Sequence, residues 1–241
     1  MSLPEPALES RRIAGGRRLW VVREDLLPGG TKRRVAPIVL DGRPAVYPTP
    51  AEGHAQLALA LACADLGIPC TIVVASRASE SSITRRARAA GAEIRAVRPG
   101  YLSLVRARAR ELAEERGAQL VPFSLRDPRV LDALAELAGG VFARLPSPPA
   151  EIWCAVGSGL LCRALQQAAP LARAYGVQIG GDGVLLADGV GRAEILKAPE
   201  RFSQRALLPP PFPSCAEYDA KAWRFIEGQA ADGALFWNVA A

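Results

Sequence analysis

Runs of β-branched and other apolar residues alternate along this chain with alanine-rich stretches whose apolar positions recur at helical spacing. RLWVVRED (18–25) reads as a strand. PCTIVVAS (69–76) reads as a strand buried on both faces, because its apolar run is not broken by polar alternation. EIRAVR (93–98), QLVPFS (119–124), EIWCAVGSG (151–159) and ALFWNVAA (234–241) give further strands, the third running into a glycine turn. GHAQLALALACADLG (53–67) predicts a buried helix closed by Gly67. SSITRRARAAGA (81–92) predicts a helix with Ser81 or Ser82 as N-cap, where a hydroxyl accepts from an otherwise unpaired N–H. In YLSLVRARARELAEERGA (101–118), Leu104, Val105, Ala109 and Leu112 share one helical face. RVLDALAELAGGVFARL (129–145), LLCRALQQAAPLARAYG (160–176) and EYDAKAWRFIEGQAADG (217–233) complete the expected helices. Between these elements, YPTPAEGHAQ (47–56) reads as a polar, proline-marked loop feeding a helix. SPP (147–149) is a linker, and PPPFPSC (209–215) a rigid, extended connection. VQIGGDGVLLADG (177–189) holds a strand and a glycine-rich loop. Strand–helix alternation with buried strands predicts an α/β protein: a mostly parallel, twisted sheet with helices on both faces. No internal repeat is present.

Composition narrows this picture. A chain of 241 residues, half of them apolar, is long enough to bury a substantial core. No apolar run reaches the ~18 residues of a membrane span; the longest candidate is broken by Asp65, Gly67 and Pro69. The first twelve residues hold no apolar stretch of the kind a secretory signal requires. The five cysteines (63, 70, 154, 162 and 215) are odd in number and lack metal spacing. Buried free thiols in a reducing cytoplasm are expected, and with one histidine, His54, no metal site.

The formal charge is +6. Arginines cluster at RRIAGGRR, TKRR, TRRARAAGAEIRAVR and RARAREL. Solvated helix faces account for such clusters; so does attraction to an anionic partner, phosphate-bearing small molecule or nucleic acid. No DNA-reading or RNA-reading motif accompanies the charge.

Against this arginine background the chain has only three lysines, Lys32, Lys197 and Lys221. Lys32 follows Gly29-Gly30-Thr31 at the end of the first strand segment. Arginine keeps its proton at any working pH, whereas a desolvated lysine can release it and act as a nucleophile. The same segment also reads as a glycine turn followed by a solvated lysine. The second candidate is Gly157-Ser158-Gly159, followed at once by a helix beginning at Leu160. Unpaired N–H groups at a helix start, with the positive end of its dipole, accept an anion such as phosphate. An ordinary strand-to-helix turn has the same sequence. The full dinucleotide fingerprint GxGxxG is not there. The third is the helix start carrying His54 and Gln56, whose histidine is either a structural residue or a neighbour of a cofactor or substrate carboxylate. In this order, amine, helix-start loop and late glycine cradle suit one cofactor, pyridoxal 5'-phosphate.

The order and wording resemble the fold-type II pyridoxal-phosphate enzymes, the tryptophan synthase β-like family. REDLLPGGTKRR (23–34) is similar to the RxDxxxxGGNKxRK segment of D-cysteine desulfhydrases and aminocyclopropane-carboxylate deaminases. AEGHAQLALALACADLGIPCTIVV (51–74) resembles the threonine-deaminase pattern SAGNHAQGVAxAAxxLGIxxxIVM. TRRARAAGAEIRAV (84–97), AVGSGLLCRAL (155–165), YDAKAW (218–223) and ALFWNVA (234–240) follow in the family's order. The resemblance implies Lys32 as the Schiff-base lysine and catalytic base or acid. It implies Gly157, Ser158, Gly159 and the N–H of Leu160 as the phosphate site. His54 and Asn238 are implied as further cofactor neighbours, and Thr49 and Gln56 as candidates for substrate. It further implies a large cofactor-binding domain from residues 1–40 and 125–241, a trimmed small α/β domain from 41–124, and a homodimer. The implied activity is lyase, deaminase or decarboxylase chemistry at Cα or Cβ of an amino-acid-like amine.

Two departures qualify the resemblance. The family's ring-hydroxyl asparagine falls on the triplet Glu52-Gly53-His54, and its serine or threonine near the pyridine nitrogen falls on Val239, beside Asn238. An apolar neighbour there makes the ring a weaker electron sink. These changes, with an ending similar to short phage-encoded lyase-like members, leave two alternatives. One is a pyridoxal-phosphate enzyme modifying an amino-acid-bearing nucleobase in DNA. The other is a non-catalytic relic of the fold.

Overall fold

The computed structural model describes residues 3–98, 101–180 and 189–241. In chain order its strands and α-helices are β1 (Ala7–Arg12), β2 (Arg18–Arg23), α1 (Thr31–Val35), β3 (Ala45–Thr49), α2 (Ala55–Leu66), β4 (Cys70–Ala75), α3 (Ser82–Ala89), β5 (Glu93–Val97), α4 (Leu102–Glu115), β6 (Gln119–Leu120), α5 (Pro128–Phe142), β7 (Glu151–Val156), α6 (Leu160–Ala168), β8 (Arg173–Gln178), β9 (Glu194–Lys197), α7 (Trp223–Gln229) and β10 (Ala234–Asn238). They divide into two compact units: residues 1–27 with 131–241, and residues 28–130. The boundaries expected from the resemblance, 40/41 and 124/125, therefore differ from those of the structure. Residues 28–40, with Lys32 among them, belong to the smaller unit.

The larger unit is built on a six-stranded sheet ordered β1-β2-β10-β7-β8-β9. Every neighbouring pair is parallel except β1 with β2. The last strand lies in the middle because its side chains are apolar on both faces. Phe236 joins Leu19, Val21, Trp153 and Val177 in one core, which α7 covers with Trp223 and Ile226. Leu235 and Trp237 join Val22, Ile152, Cys154 and Val156 in the other, which α5 and α6 cover with Val141, Phe142 and Leu165. Adjacent residues of a strand point to opposite faces, so one five-residue segment seeds both layers.

The smaller unit is a four-stranded, all-parallel sheet ordered β5-β4-β3-β6. On one face Val46, Val73 and Ala75 pack against Val105, Ala109 and Ala113 of α4. By strand alternation Tyr47, Ile72 and Val74, all buried, point to the opposite face. Helix α2 is buried from Ala55 to Ala60 and again at Ala62 and Cys63, which is why its sequence lacks a polar stripe. It ends where Gly67 turns left-handed, with Ile68 N donating to Cys63 O at 2.8 Å. Ser81 caps α3, accepting from Thr84 N at 3.2 Å.

Several elements differ from the sequence expectations. The helix expected over 160–176 stops at Ala168, before Pro170, and Arg173–Gln178 is a buried strand. The strand expected over 119–124 is only Gln119–Leu120, because Pro122 cannot continue the ladder. The helix expected over 217–233 is a 3₁₀ turn, Asp219–Ala222, followed by the short α7. Strands β1 and β9 are not among the expected elements, and the buried strand β3 takes in Tyr47–Thr49, read as the start of a loop. The glycine-rich loop expected after β8 lies largely outside the described residues, at 181–188. All five cysteines are buried and free. No helix among the described residues is long and apolar enough to cross a membrane.

Candidate functional site

In the smaller unit, β2's successor segment turns at Gly29 and Gly30, both at positive φ (87° and 63°), directly into α1. A Cβ on Gly29 would sit 3.0 Å from Ala58 Cα, so the turn lies against the backbone of α2 as only glycine permits. Lys32 stands in the first turn of α1. The residue is half-buried, but desolvation of the amine lowers its pKa to about 8. His54 is the N-cap residue of α2. Its pKa falls to about 4, first from burial and then from the positive charges of Arg86 and Lys32. The imidazole is therefore neutral at physiological pH, and the charge of Lys32 is among those that act on it.

Thr49 and Gln56 are directed differently. Thr49 is 1% exposed, and its hydroxyl donates to Pro50 O at 3.1 Å. Gln56 is fully buried: Nε2 donates to Ala51 O at 3.0 Å and Oε1 accepts from Thr84 Oγ1 at 3.0 Å. Both side chains support the turn between β3 and α2.

In the larger unit, β7 ends at Val156 and α6 begins at Leu160, with Gly157-Ser158-Gly159 between them. The first N–H groups of α6 have no acceptor within the helix. Gly159 adopts φ 83°, and a Cβ there would lie 2.6 Å from Gly189 O. A Cβ on Gly157 would lie 3.0 Å from the Tyr218 hydroxyl. The loop is thus a bare main-chain cradle with no room for side chains at either glycine. Tyr218 and the adjoining Asp219 are residues that the sequence reading quoted but gave no role. Asp219 is fully buried; Oδ2 accepts from Ala240 N at 3.2 Å, and Oδ1 has no hydrogen-bond partner. Burial, aided by the nearby charge of Asp25, holds its carboxyl well above the usual range. The sequence held no signal for it: Asp219 sits in a segment that also carries Glu217, Lys221, Arg224 and Glu227.

Asn238 is engaged throughout. Its Nδ2 donates to Asp25 Oδ1 at 2.8 Å and to Pro213 O at 2.9 Å, and its Oδ1 accepts from Ser214 Oγ at 2.7 Å. Asp25 in turn pairs with Arg23 at 2.7 Å, and Arg23 with Glu9 at 2.8 Å. Asn238 therefore stitches β10 to the Pro213–Ser214 segment and is not available to a ring nitrogen. Val239 packs with the apolar core. Lys221, though 1% exposed, is also structural: Nζ donates to Arg201 O at 2.9 Å and to Phe202 O at 3.2 Å.

A phosphate-bearing aldehyde cofactor requires an amine able to shed its proton, a main-chain anion cradle and a polar partner for its ring. The smaller unit holds an amine of that kind in Lys32, and the larger unit holds a loop of that kind in Gly157–Leu160 and a polar atom without a hydrogen-bond partner in Asp219, so each unit's residues are in kind compatible with pyridoxal phosphate.

Comparison with known proteins agrees. No curated protein sequence matches the chain. Among solved structures it is similar to an ACC deaminase homologue, with TM-score 0.80 and 14% identity over 99% of this chain and 90% of the other. It is similar to a hydrogen sulfide-producing enzyme from Fusobacterium nucleatum, with TM-score 0.73 and 16% identity over 98% and 93%. A threonine deaminase isoform from Solanum lycopersicum matches with TM-score 0.58 and 23% identity over 73% of this chain and 51% of that one. These likenesses establish the shared fold. The model of the pyridoxal-phosphate dependent enzymes matches residues 3–218, nearly the whole sequence, and the chain belongs to that family, in its fold-type II form.

Proposed function

We propose that this protein acts at Cα or Cβ of an amino-acid-like amine as a lyase, deaminase or decarboxylase, with Lys32 as the residue that carries its cofactor. Pyridoxal phosphate, when bound, supplies a conjugated ring that accommodates the charge left when a bond at Cα breaks. The chain's own residues supply the rest. With a pKa of about 8, roughly one Lys32 amine in ten is neutral at pH 7; at 10.5 it would be about one in three thousand. That difference makes Lys32 a competent nucleophile and, once displaced by substrate, a base able to take and return a proton at Cα. His54, neutral, does not compete for that proton. Ser158 and the main-chain N–H groups through Leu160 grip the phosphate, aided by the α6 dipole. Asp219 takes the ring-nitrogen role first expected of Asn238, its raised carboxyl keeping a proton to donate. The deaminases among the structural neighbours support an amine substrate.

The observation that carries this reading is the depressed amine set behind a glycine turn that only glycine can make. Its test is an absorbance scan with added pyridoxal phosphate, followed by borohydride reduction and mapping of the modified peptide. We expect a yellow protein reduced at Lys32, and a Lys32→Ala variant with neither colour nor activity. Retention of the lysine-bound absorbance in that variant would refute the assignment. Protein that stays colourless with excess cofactor would favour the relic.

A second reading, chemistry on an amino-bearing base in nucleic acid, draws on charge. Residues 28–130 carry sixteen lysines and arginines against nine acids, while the rest of the chain carries fourteen against fifteen. Such a reading requires DNA affinity that falls steeply with salt. Absence of binding at low salt removes it.

A further inference from the structure

The turn between β3 and α2 runs between the buried residues Thr49 and Ala55. It closes with Gly53 N donating to Pro50 O at 3.0 Å, so tightly that a Cβ on Gly53 would lie 2.4 Å from Thr49 Oγ1. A cavity of about 130 Å³ borders it, lined by Ala51, Ser81 and Thr84 with Arg77, Glu80 and Arg88. What holds the turn is a polar knot on the Ala51 carbonyl. Gln56 Nε2 donates to it at 3.0 Å and Ser81 Oγ at 2.6 Å. Thr84 Oγ1 stands 3.1 Å from the same oxygen and 3.0 Å from Gln56 Oε1. A threonine hydroxyl has one proton. With the carbonyl already holding two donors, that proton serves the amide of Gln56, which would otherwise be a buried unsatisfied oxygen.

We infer that Thr84, seconded by Ser81, is a positioning residue: through Gln56 and Ala51 it clamps the Pro50–His54 turn, and so fixes His54 at the start of α2. The inference rests on the reading that His54 borders the bound cofactor. Thr84 and Ser81 touch no reacting atom; both lie on the start of α3 and act through the turn. The charges facing His54 are Lys32 and Arg86, and Glu52 on the same turn is drawn to Arg77 at 3.6 Å. The clamp keeps the imidazole in this electropositive, dehydrated setting.

His54 is the only histidine of the chain, so its ring protons can be followed by NMR without assignment, in cofactor-free protein. Parent protein is expected to titrate at about 4. Thr84→Val, which keeps the shape and removes the hydroxyl, is expected to move the midpoint upward by a unit or more, toward the ordinary 6.5. Thr84→Ser, which restores the hydroxyl, should titrate as the parent does. Ser81→Ala should give a smaller rise, and decides the matter if Thr84→Val does not fold. A folded Thr84→Val with an unmoved midpoint overturns the clamp, as does a Thr84→Ser that behaves like Thr84→Val, or an unmoved Ser81→Ala where it is the deciding variant. Borohydride labelling of Lys32 is measured separately. Its failure in the parent would remove the cofactor reading and leave the clamp standing.

Discussion

At the candidate groups of the two units the same physics acts with opposite sign. In residues 28–130 burial acts on bases: the Lys32 amine falls to about 8 and the His54 imidazole to about 4. In the remainder the candidate group is an acid, and burial pushes the Asp219 carboxyl well above its usual range. In each unit the dehydrated group is driven toward its uncharged form, because removing a charge from water costs more than the neighbourhood returns. Net charge runs the other way. The unit with the neutralised bases carries the chain's whole excess of positive charge, nearly all of it on exposed arginines. Surface charge and candidate chemistry are thus separable in this unit: arginine, which cannot be neutralised, decorates its outside, and its single lysine, Lys32, has its amine dehydrated.

The largest expected effect tests whether the units are also separable in stability. All four tryptophans, at 20, 153, 223 and 237, lie in the larger unit. Leu59→Ala, at a fully buried position of α2, should cost about 2–5 kcal/mol by opening a cavity. Unfolding followed by circular dichroism should record that loss, while the tryptophan fluorescence transition moves less. Equal shifts in both signals would mean that the two units melt as one.

Next come two substitutions with mirrored pH dependence. Lys32 binds its proton less tightly in the fold, so stability is lost as pH falls from about 10.5 through 8. Lys32→Met should therefore stabilise by about 1–3 kcal/mol at pH 7, with the gain vanishing above pH 10.5. Asp219 binds its proton more tightly in the fold, so stability is present below pH 3.8 and lost as pH rises through its raised pKa. Asp219→Asn should give a gain that grows with pH from about 4 upward. Denaturant midpoints across pH check both; slopes of the same sign would break the comparison.

The smallest effect belongs to His54. Its depressed pKa means the unfolded chain binds the extra proton first, so stability falls as pH drops from 6.5 to about 4. His54→Gln should flatten that slope, by on the order of 2 kcal/mol across the interval. An unchanged slope would show that His54 is not dehydrated.

What could be read from the residues alone was local. An unbroken apolar run made β4 a buried strand, Gly67 closed α2, Ser81 capped α3, and the glycines at 29–30 and 157–159 marked backbone that no side chain can cover. These follow from sterics and short-range hydrogen bonding, which a dozen neighbouring residues determine. The direction of a polar side chain is different. Gln56, Thr49 and Asn238 have the composition of ligand contacts, yet each finds its partner inside the protein: Thr49 at the adjacent Pro50, Gln56 at Thr84 in another helix, and Asn238 at Asp25 in a segment more than two hundred residues away. Asp219 shows the converse, an acid whose importance emerges only because everything packed around it excludes water. The sequence by itself determined which backbone could approach a flat, anionic cofactor. Only the tertiary structure decided which polar groups are satisfied internally and which are left without a partner, because those partners come from distant parts of the chain.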